Sequence, residues 1–155
     1  MEQLNKPIKR HQALKPISRD HHFGLLLCWK IRQGFLKNIE LDRIKKYTDW
    51  FYNVHLKEHF DLEEKYIFSV LPPNDKLVKR ALAEHRRLAR LFEDETNILK
   101  SLNLIEEELD LHIRFEERVV FKAVQEIASE EQLQLIEGVH QHKELDDWDD
   151  EFWNA

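Results

Sequence analysis

The stretch His59–Phe68 reads HFDLEEKYIF, and the stretch His112–Phe121 reads HIRFEERVVF. In both stretches a histidine is followed four residues later by Glu-Glu and then, after three more residues, by Phe. Apolar residues recur on both sides of each copy at the three- and four-residue spacing of a helix that buries one face. The repeat therefore predicts two long helices, each with a histidine and a glutamate on its buried face.

Length and composition favour one mostly helical domain. The chain has 155 residues, of which 35% are charged, and it contains only 3 Gly and 4 Pro. Few helix breakers and many Leu, Ile, Glu, Lys and Arg are typical of helical proteins. The length predicts a single domain with a sizeable core.

The net charge and the absence of long apolar runs argue against several classes of partner. A formal net charge of -6 argues against sequence-independent nucleic-acid binding and against a polybasic membrane contact. No apolar run approaches the roughly 18 residues of a spanning helix. The first residues lack the apolar core of a signal peptide, and Cys28 is the single cysteine, so we expect a cytoplasmic protein without disulfides.

Capping and turn signals divide the chain into an N-terminal arm (1–16), a domain of four long helices (17–128) and a C-terminal helix with an acidic aromatic tail (129–155). We expect Ser18 to cap a first helix that ends near Lys37, and a second helix to run over 41–70 until Pro72-Pro73 stops it. Asp75 is expected to cap a third helix that ends near Lys100, with a connection at Ser101–Asn103. A fourth helix should follow over 104–128 and a fifth from Ser129 to about Leu145. Short turns between long helices predict an antiparallel up-down-up-down four-helix bundle. The aromatic tail either frays or docks on this bundle.

Each long helix is predicted to carry a histidine on its apolar stripe. These are His21, His59, His85 and His112, and Glu63 and Glu116 follow two of them one turn later. On the first helix the periodicity favours His21 over His22. A buried unpaired carboxylate is costly, and the stripes contain no Lys or Arg to neutralise it. A multivalent cation between the helices would satisfy both glutamates and use the histidines as ligands.

Simpler readings exist for each residue taken alone. A single buried histidine is more often a hydrogen-bonded core residue than a ligand, and a histidine and a glutamate four apart can form a surface ion pair. Imidazole and carboxylate ligands without thiolate suit iron, manganese or zinc. Six side chains exceed one tetrahedral site and suit two carboxylate-bridged ions. The Glu137-x-x-His140 spacing, used in ferritin-like sites, is interpreted here as a solvated turn.

The motifs RDHH (19–22), HFDLEE (59–64), EHRRL (84–88) and HIRFEERVVF (112–121) together resemble those of a hemerythrin-like, or HHE cation-binding, domain. The resemblance covers residues 16–128. It implies a four-helix bundle holding two non-haem iron ions with oxo or hydroxo and carboxylate bridges. Carried over position by position, it implies six iron ligands: His21, His59, Glu63, His85, His112 and Glu116. The two glutamates would be the bridging carboxylates.

The chain departs from the oxygen-carrying hemerythrins at two points. Ala89 stands where they have a second histidine on the third helix, and the fourth helix has His-x-x-x-Glu instead of His-x-x-x-x-Asp. The resemblance therefore implies a protein that binds or senses dioxygen, nitric oxide or iron. A small di-iron oxidase or peroxidase-type enzyme and a zinc-stapled structural bundle are the alternatives, and the protein partner is left open. His55 is read as either a neighbour of the ligands or a surface residue, and Glu64 and Glu117 as solvated or ion-paired.

Overall fold

The structure is a computed structural model that describes residues 9–140, 144–145 and 147–155. All regular elements in these ranges are helical, which confirms the all-α prediction. No helix among them combines the length and the apolar character needed to cross a bilayer. The first half of the predicted N-terminal arm, residues 1–8, and part of the predicted end of the fifth helix, residues 141–143, lie outside the described ranges.

In the part of the chain that the structure describes, seven α-helices follow one another, several of them joined without a break. They are α1 (Lys15–Leu36), α2 (Leu41–Phe51), α3 (Lys57–Leu62), α4 (Lys76–Glu93), α5 (Ile98–Phe115), α6 (Phe121–Ile127) and α7 (Glu130–Val139). Three π-helical turns continue these helices: Tyr52–Leu56, Glu63–Ile67 and Glu116–Val120. The described residues also contain three short 3₁₀ turns: Gln12–Leu14, Phe68–Val70 and Phe152–Asn154. We call 41–70 the second helical run and 98–127 the fourth helical run.

The first helix starts earlier than the sequence predicted. It begins at Lys15 with Pro16 in its first turn, where a proline loses no helical hydrogen bond. Ser18 is therefore not a cap, and its hydroxyl donates to the carboxylate of Glu117 instead, at 2.9 and 3.0 Å. Ala13 and Leu14 are fully buried. The prediction that residues 1–16 form an arm outside the helices was thus wrong for residues 12–16, which lie in a 3₁₀ turn and in the start of α1.

The boundary between the third and fourth helices was also wrong. α4 is capped by Asp75 as predicted, but it ends at Glu93 and not near Lys100. The carboxylate of Asp94 accepts hydrogen bonds from the backbone N–H groups of Thr96 and Asn97 and from the Ser101 hydroxyl. Asn97 then caps α5. These polar side chains end one helix and start the next, so the expected connection, Ser101–Asn103, lies inside α5.

The prediction for the start of the fifth helix was confirmed, and the prediction for its end was wrong. Ser129 starts α7 with a capping box to Gln132, as its sequence signal indicates, but α7 ends at Val139 and not near Leu145. The aromatic tail docks. Phe152 is fully buried in the apolar core, and the ammonium of Lys30 lies 3.9 Å from the centroid of the Trp153 ring.

Two apolar clusters form the core, and a polar layer separates them. Along α1, Ile17 belongs to one cluster and Leu27 to the other. Along α4, the same is true of Ala81 and Leu88. The histidines of α1 and α4 lie between these positions. α5 packs along both α1 and α4, so buried polar side chains from several helices meet at one level.

Candidate metal centre

All six predicted ligand residues meet in this layer. None is more than 5% exposed, and both glutamates are completely buried. Their nitrogen and oxygen atoms form two groups, each of which could hold a metal ion. The first group, the His21/His59 half-site, adds Glu63 and Glu116 to those histidines, and the second, the His85/His112 half-site, adds the same two glutamates to the other pair. The two glutamates are therefore shared.

The backbone changes its helical pitch at both glutamates. Glu63 is the first residue of the π turn Glu63–Ile67, and Glu116 is the first residue of the π turn Glu116–Val120. The histidine four residues earlier lies in ordinary α-helix in each case. Single π turns inside α-helices occur frequently at functional sites. The repeated sequence motif thus has a repeated backbone conformation, which side-chain periodicity did not predict.

The inner nitrogen atoms of the histidines lie close to the glutamate oxygens, and three of the four make no hydrogen bond with them. The Nε2 atoms of His21 and His112 lie 2.9 and 3.0 Å from Glu116, and that of His59 lies 3.2 Å from Glu63. Only the contact of His85 Nε2 with Glu116 Oε2, at 3.1 Å, has the geometry of a hydrogen bond. The other three histidines lie within ion-pair distance of the glutamates, but their Nε2 atoms do not have the geometry of a hydrogen bond.

Several buried atoms at the centre therefore lack a hydrogen-bond partner among the described residues. They are the Nε2 atoms of His21, His59 and His112, both carboxylate oxygens of Glu63, and Oε1 of Glu116. Buried polar atoms are nearly always satisfied. Atoms that converge within 4.8 Å of one another and are not satisfied by each other fit a bound cation, for which imidazole nitrogen and carboxylate oxygen are suitable donors.

The outer nitrogen atom, Nδ1, of every histidine contacts a further carboxylate. The pairs are His21 with Glu117 (2.8 Å), His59 with Asp20 (3.1 Å), His85 with Glu64 (2.7 Å) and His112 with Glu84 (2.7 Å). A carboxylate accepts hydrogen bonds, so each Nδ1 carries the hydrogen and leaves the Nε2 lone pair for a metal ion. The four imidazoles are thus oriented for coordination.

The contacts of these four carboxylates form a closed cycle that links the helices, and we call the four carboxylates the outer carboxylate ring. Each of its members, Asp20, Glu64, Glu84 and Glu117, is the chain neighbour of a candidate ligand. Asp20 on α1 contacts the second helical run, Glu64 on that run contacts α4, Glu84 on α4 contacts the fourth helical run, and Glu117 on that run contacts α1. The second glutamate of each Glu-Glu pair therefore orients a histidine on another helix.

The carboxylates hold the pKa values of the histidines above that of a free imidazole. Burial by itself lowers the pKa of His59, but the charge of Glu63 and the hydrogen bond with Asp20 outweigh burial and raise the pKa to about 9. For His85, burial is likewise outweighed by Glu116, Glu63 and Glu64, and the pKa rises to about 11. A metal ion must therefore displace protons from these rings when it binds.

The structure separates the residues that the sequence left ambiguous. His21 lies in the centre, whereas its neighbour His22 is exposed. His55 belongs to neither half-site and packs edge-on against Trp50, with ring centroids 5.2 Å apart. The interpretation of Glu137-x-x-His140 as a solvated turn was wrong for His140. Its side chain is only 5% exposed, and its Nε2 lies 2.7 Å from Asp20.

Sequence reasoning missed the roles of Asp20 and Glu84. Each directly precedes a candidate ligand histidine, in the dipeptides Asp20-His21 and Glu84-His85. That adjacency is the signal that could have identified them, because the Glu-Glu pairs repeat the same arrangement of a carboxylate beside a ligand. Comparison with protein-family models, curated proteins and solved structures found no match to this chain.

Proposed function

We propose that this chain is a hemerythrin-like protein that holds two non-haem iron ions between its helices and binds or senses a small ligand, dioxygen or nitric oxide, or iron itself. One observation carries the proposal. Two groups of four buried donors share Glu63 and Glu116, which is the arrangement expected of two adjacent ions with common carboxylate ligands.

The proposal includes an antiparallel up-down-up-down four-helix bundle. The outer carboxylate ring connects α1, the second helical run, α4 and the fourth helical run in a closed cycle of contacts. Connections between consecutive long helices are short, for example 37–40 and 94–97. Short connections favour antiparallel neighbours, and a closed cycle of four neighbours supports a bundle with its site at the centre.

The donor count supports the binding of a further small ligand. Each ion would receive two imidazole nitrogens and would share two carboxylates, which leaves coordination positions that the described side chains do not fill. Bound iron would supply a redox-active centre for diatomic ligands. The protein would supply charge neutralisation through the shared glutamates and fixed imidazole tautomers through the outer carboxylate ring.

A cysteine-dependent enzyme is disfavoured by Cys28. This residue is the only cysteine of the chain and is fully buried. Burial, with the charges of Asp110 and Glu106, raises the pKa of its thiol to about 12, so the thiolate nucleophile is scarce at neutral pH. Catalysis at the metal ions remains the enzymatic alternative, and it requires turnover with a reductant.

The first experiment is to purify the protein aerobically and measure metal content by mass spectrometry and the near-ultraviolet and visible spectrum on one sample. We expect about two irons per chain, since the proposal has two half-sites, and charge-transfer absorption. The matched variants His59→Ala and His22→Ala test the assignment. The first should lose iron and the second should keep it. Zinc as the occupant, or no metal after anaerobic loading with ferrous iron, would contradict the di-iron proposal.

A further inference from the structure

A cavity of about 40 Å³ borders the outer side of the His21/His59 half-site. Part of its wall is apolar and includes Phe51, Leu56 and Leu62, and part is polar and includes Asp20, His59 and His140. We call it the His140 cavity. A single ordered water needs roughly 10–15 Å³ of such space, so this cavity has room for a few non-hydrogen atoms.

His140 lies on the cavity wall and has a hydrogen-bond partner at only one of its two ring nitrogens among the described residues. Its side chain is 5% exposed and its Nε2 contacts Asp20 at 2.7 Å. Its Nδ1 is buried and has no hydrogen-bond partner within the described ranges. Because the Asp20 carboxylate accepts the hydrogen of Nε2, the tautomer with a single ring hydrogen presents its lone pair at Nδ1. A buried lone pair of this kind calls for a hydrogen-bond donor.

The chemistry of the wall selects the kind of molecule that fits. Anions are disfavoured, because the carboxylates of Asp20 and Glu58 both line the cavity. The apolar wall favours a molecule with little polar surface beyond a single donor group. The limited volume restricts the molecule to about three non-hydrogen atoms, judged from the space that one water needs.

We propose that the His140 cavity is a binding site for a small neutral hydroxylic molecule, a short alcohol or a hydroperoxide, which donates a hydrogen bond to His140 Nδ1. The site is linked to the metal centre, because Asp20 contacts both His140 Nε2 and, at 3.1 Å, His59 Nδ1. The molecule bound there would stand at the end of a hydrogen-bonded chain that reaches a candidate ligand. This inference concerns residues outside the donor set and does not require iron as the occupant.

The test is a nuclear magnetic resonance titration of the full chain labelled with ¹⁵N-histidine. The protein is loaded with Zn²⁺, which is diamagnetic, and methanol and hydrogen peroxide are added separately. We expect a saturable shift of the His140 Nδ1 resonance with at least one of them, and the two titrations distinguish an alcohol site from a hydroperoxide site. Acetonitrile, which is similar in size but has no donor, should not reproduce the shift.

Two matched variants localise the response. Leu62→Phe places a larger side chain on the cavity wall and should abolish the saturable shift, while the contact between His140 and Asp20 persists. Leu135→Phe makes the same change at a leucine of α7 that is 55% exposed, and it should leave the shift unchanged. Response to neither probe, which would mean that only water occupies the cavity, would overturn the proposal. An equal response to acetonitrile or in Leu62→Phe would do the same.

The metal content of each sample is measured separately. If the chain binds no metal, the titration is made on the purified protein as it is. Failure of the di-iron proposal and failure of the cavity proposal are then distinguishable. Metal analysis tests the first, and the resonance of the His140 ring nitrogen tests the second.

Discussion

The two half-sites have the same donors but different surroundings. In the His85/His112 half-site, the ring of Phe60 stacks on His85 with centroids 3.9 Å apart, and Phe68 approaches His85 at 5.4 Å. In the His21/His59 half-site, Phe121 stacks on His21 at 5.2 Å, but His59 borders the His140 cavity. Both half-sites border a cavity, but the two cavities differ: the one beside His112 is lined by paired charged side chains such as Arg87 and Glu108, whereas the His140 cavity contains a buried ring nitrogen without a hydrogen-bond partner among the described residues.

The difference comes from segments outside the four long helical runs. Arg10, from the segment before α1, donates to the backbone carbonyl of Glu117 at 2.6 Å, and His140, from the end of α7, contacts Asp20. Arg10 also lies 3.5 Å from the Glu117 carboxylate, so both residues contact outer carboxylates of the His21/His59 half-site. The other half-site has no such partner among those described, and Glu84 is paired within α4 to Arg80. The helices thus supply equal donors, and the chain ends make the half-sites unequal.

The largest expected effect comes from removing what the half-sites share. Glu116→Gln should lower the metal content of both half-sites, to below about a tenth of the wild-type value, because the glutamate belongs to both donor groups. His85→Ala should spare more metal, since His85 belongs to one group. Metal analysis after dialysis measures both, with His22→Ala as the control. Equal losses in the two variants would argue against a shared carboxylate.

The metal-free protein should lose stability as the pH rises. The folded pKa values of about 9 for His59 and about 11 for His85 lie above 6.5, the ordinary pKa of a histidine side chain. The stabilisation is therefore complete below pH 6.5 and is lost as the pH rises through those folded values. Each pKa unit is worth about 1.4 kcal/mol, so the loss amounts to several kcal/mol.

Urea denaturation between pH 6 and pH 10 measures this effect. The metal-loaded protein is the control, because its histidines carry no proton on Nε2 and its stability should vary less over the same range. A metal-free protein that is equally stable at both ends of the range would contradict the raised pKa values.

Removing an outer carboxylate should weaken metal binding less than removing a shared glutamate, and the loss should differ from one outer carboxylate to another. Asp20→Asn should weaken metal binding by about 10- to 100-fold, the usual cost of removing a hydrogen-bond acceptor from a ligand histidine. Glu64→Gln should cost less, because the Glu64 side chain is 41% exposed and that of Asp20 only 25%. Chelator competition measures both affinities, with the exposed Glu107→Gln as the control. A larger loss in Glu64→Gln would reverse the proposed inequality.

The smallest effect is expected from the chain end itself. Arg10→Ala removes contacts to Glu117 and Gln125 and should destabilise the protein by about 1 kcal/mol, the typical net value of a hydrogen bond. Metal release from the His21/His59 half-site should accelerate, while the other half-site is unaffected. Thermal unfolding and metal-release kinetics measure these changes. Arg86→Ala, at an exposed position on α4, provides the comparison, and an identical effect there would argue against a specific role.

The inner part of the centre was predictable from sequence, and the outer part was not. His59 and Glu63 are four residues apart on an apolar stripe, so helical periodicity alone brings them to one buried face. The partners of Glu64 and Glu117 depend on which helices are neighbours, and the burial of His140 depends on where α7 ends. Periodicity within one helix contains neither kind of information. The π turns escaped prediction for the same reason, since they change backbone hydrogen bonding and not residue type.

The outer carboxylate ring also determines how each helix is oriented about its own axis. Adjacent residues on a helix point about 100° apart. The two side chains of a pair such as Asp20-His21 or Glu84-His85 therefore make contacts in two different directions. One contact is with the centre and the other is with a histidine of the next helix in the cycle. A helix that rotated or slid would lose both contacts together. The pairs therefore fix two things for the four helices: the rotation of each helix about its own axis and its position along that axis relative to its neighbours.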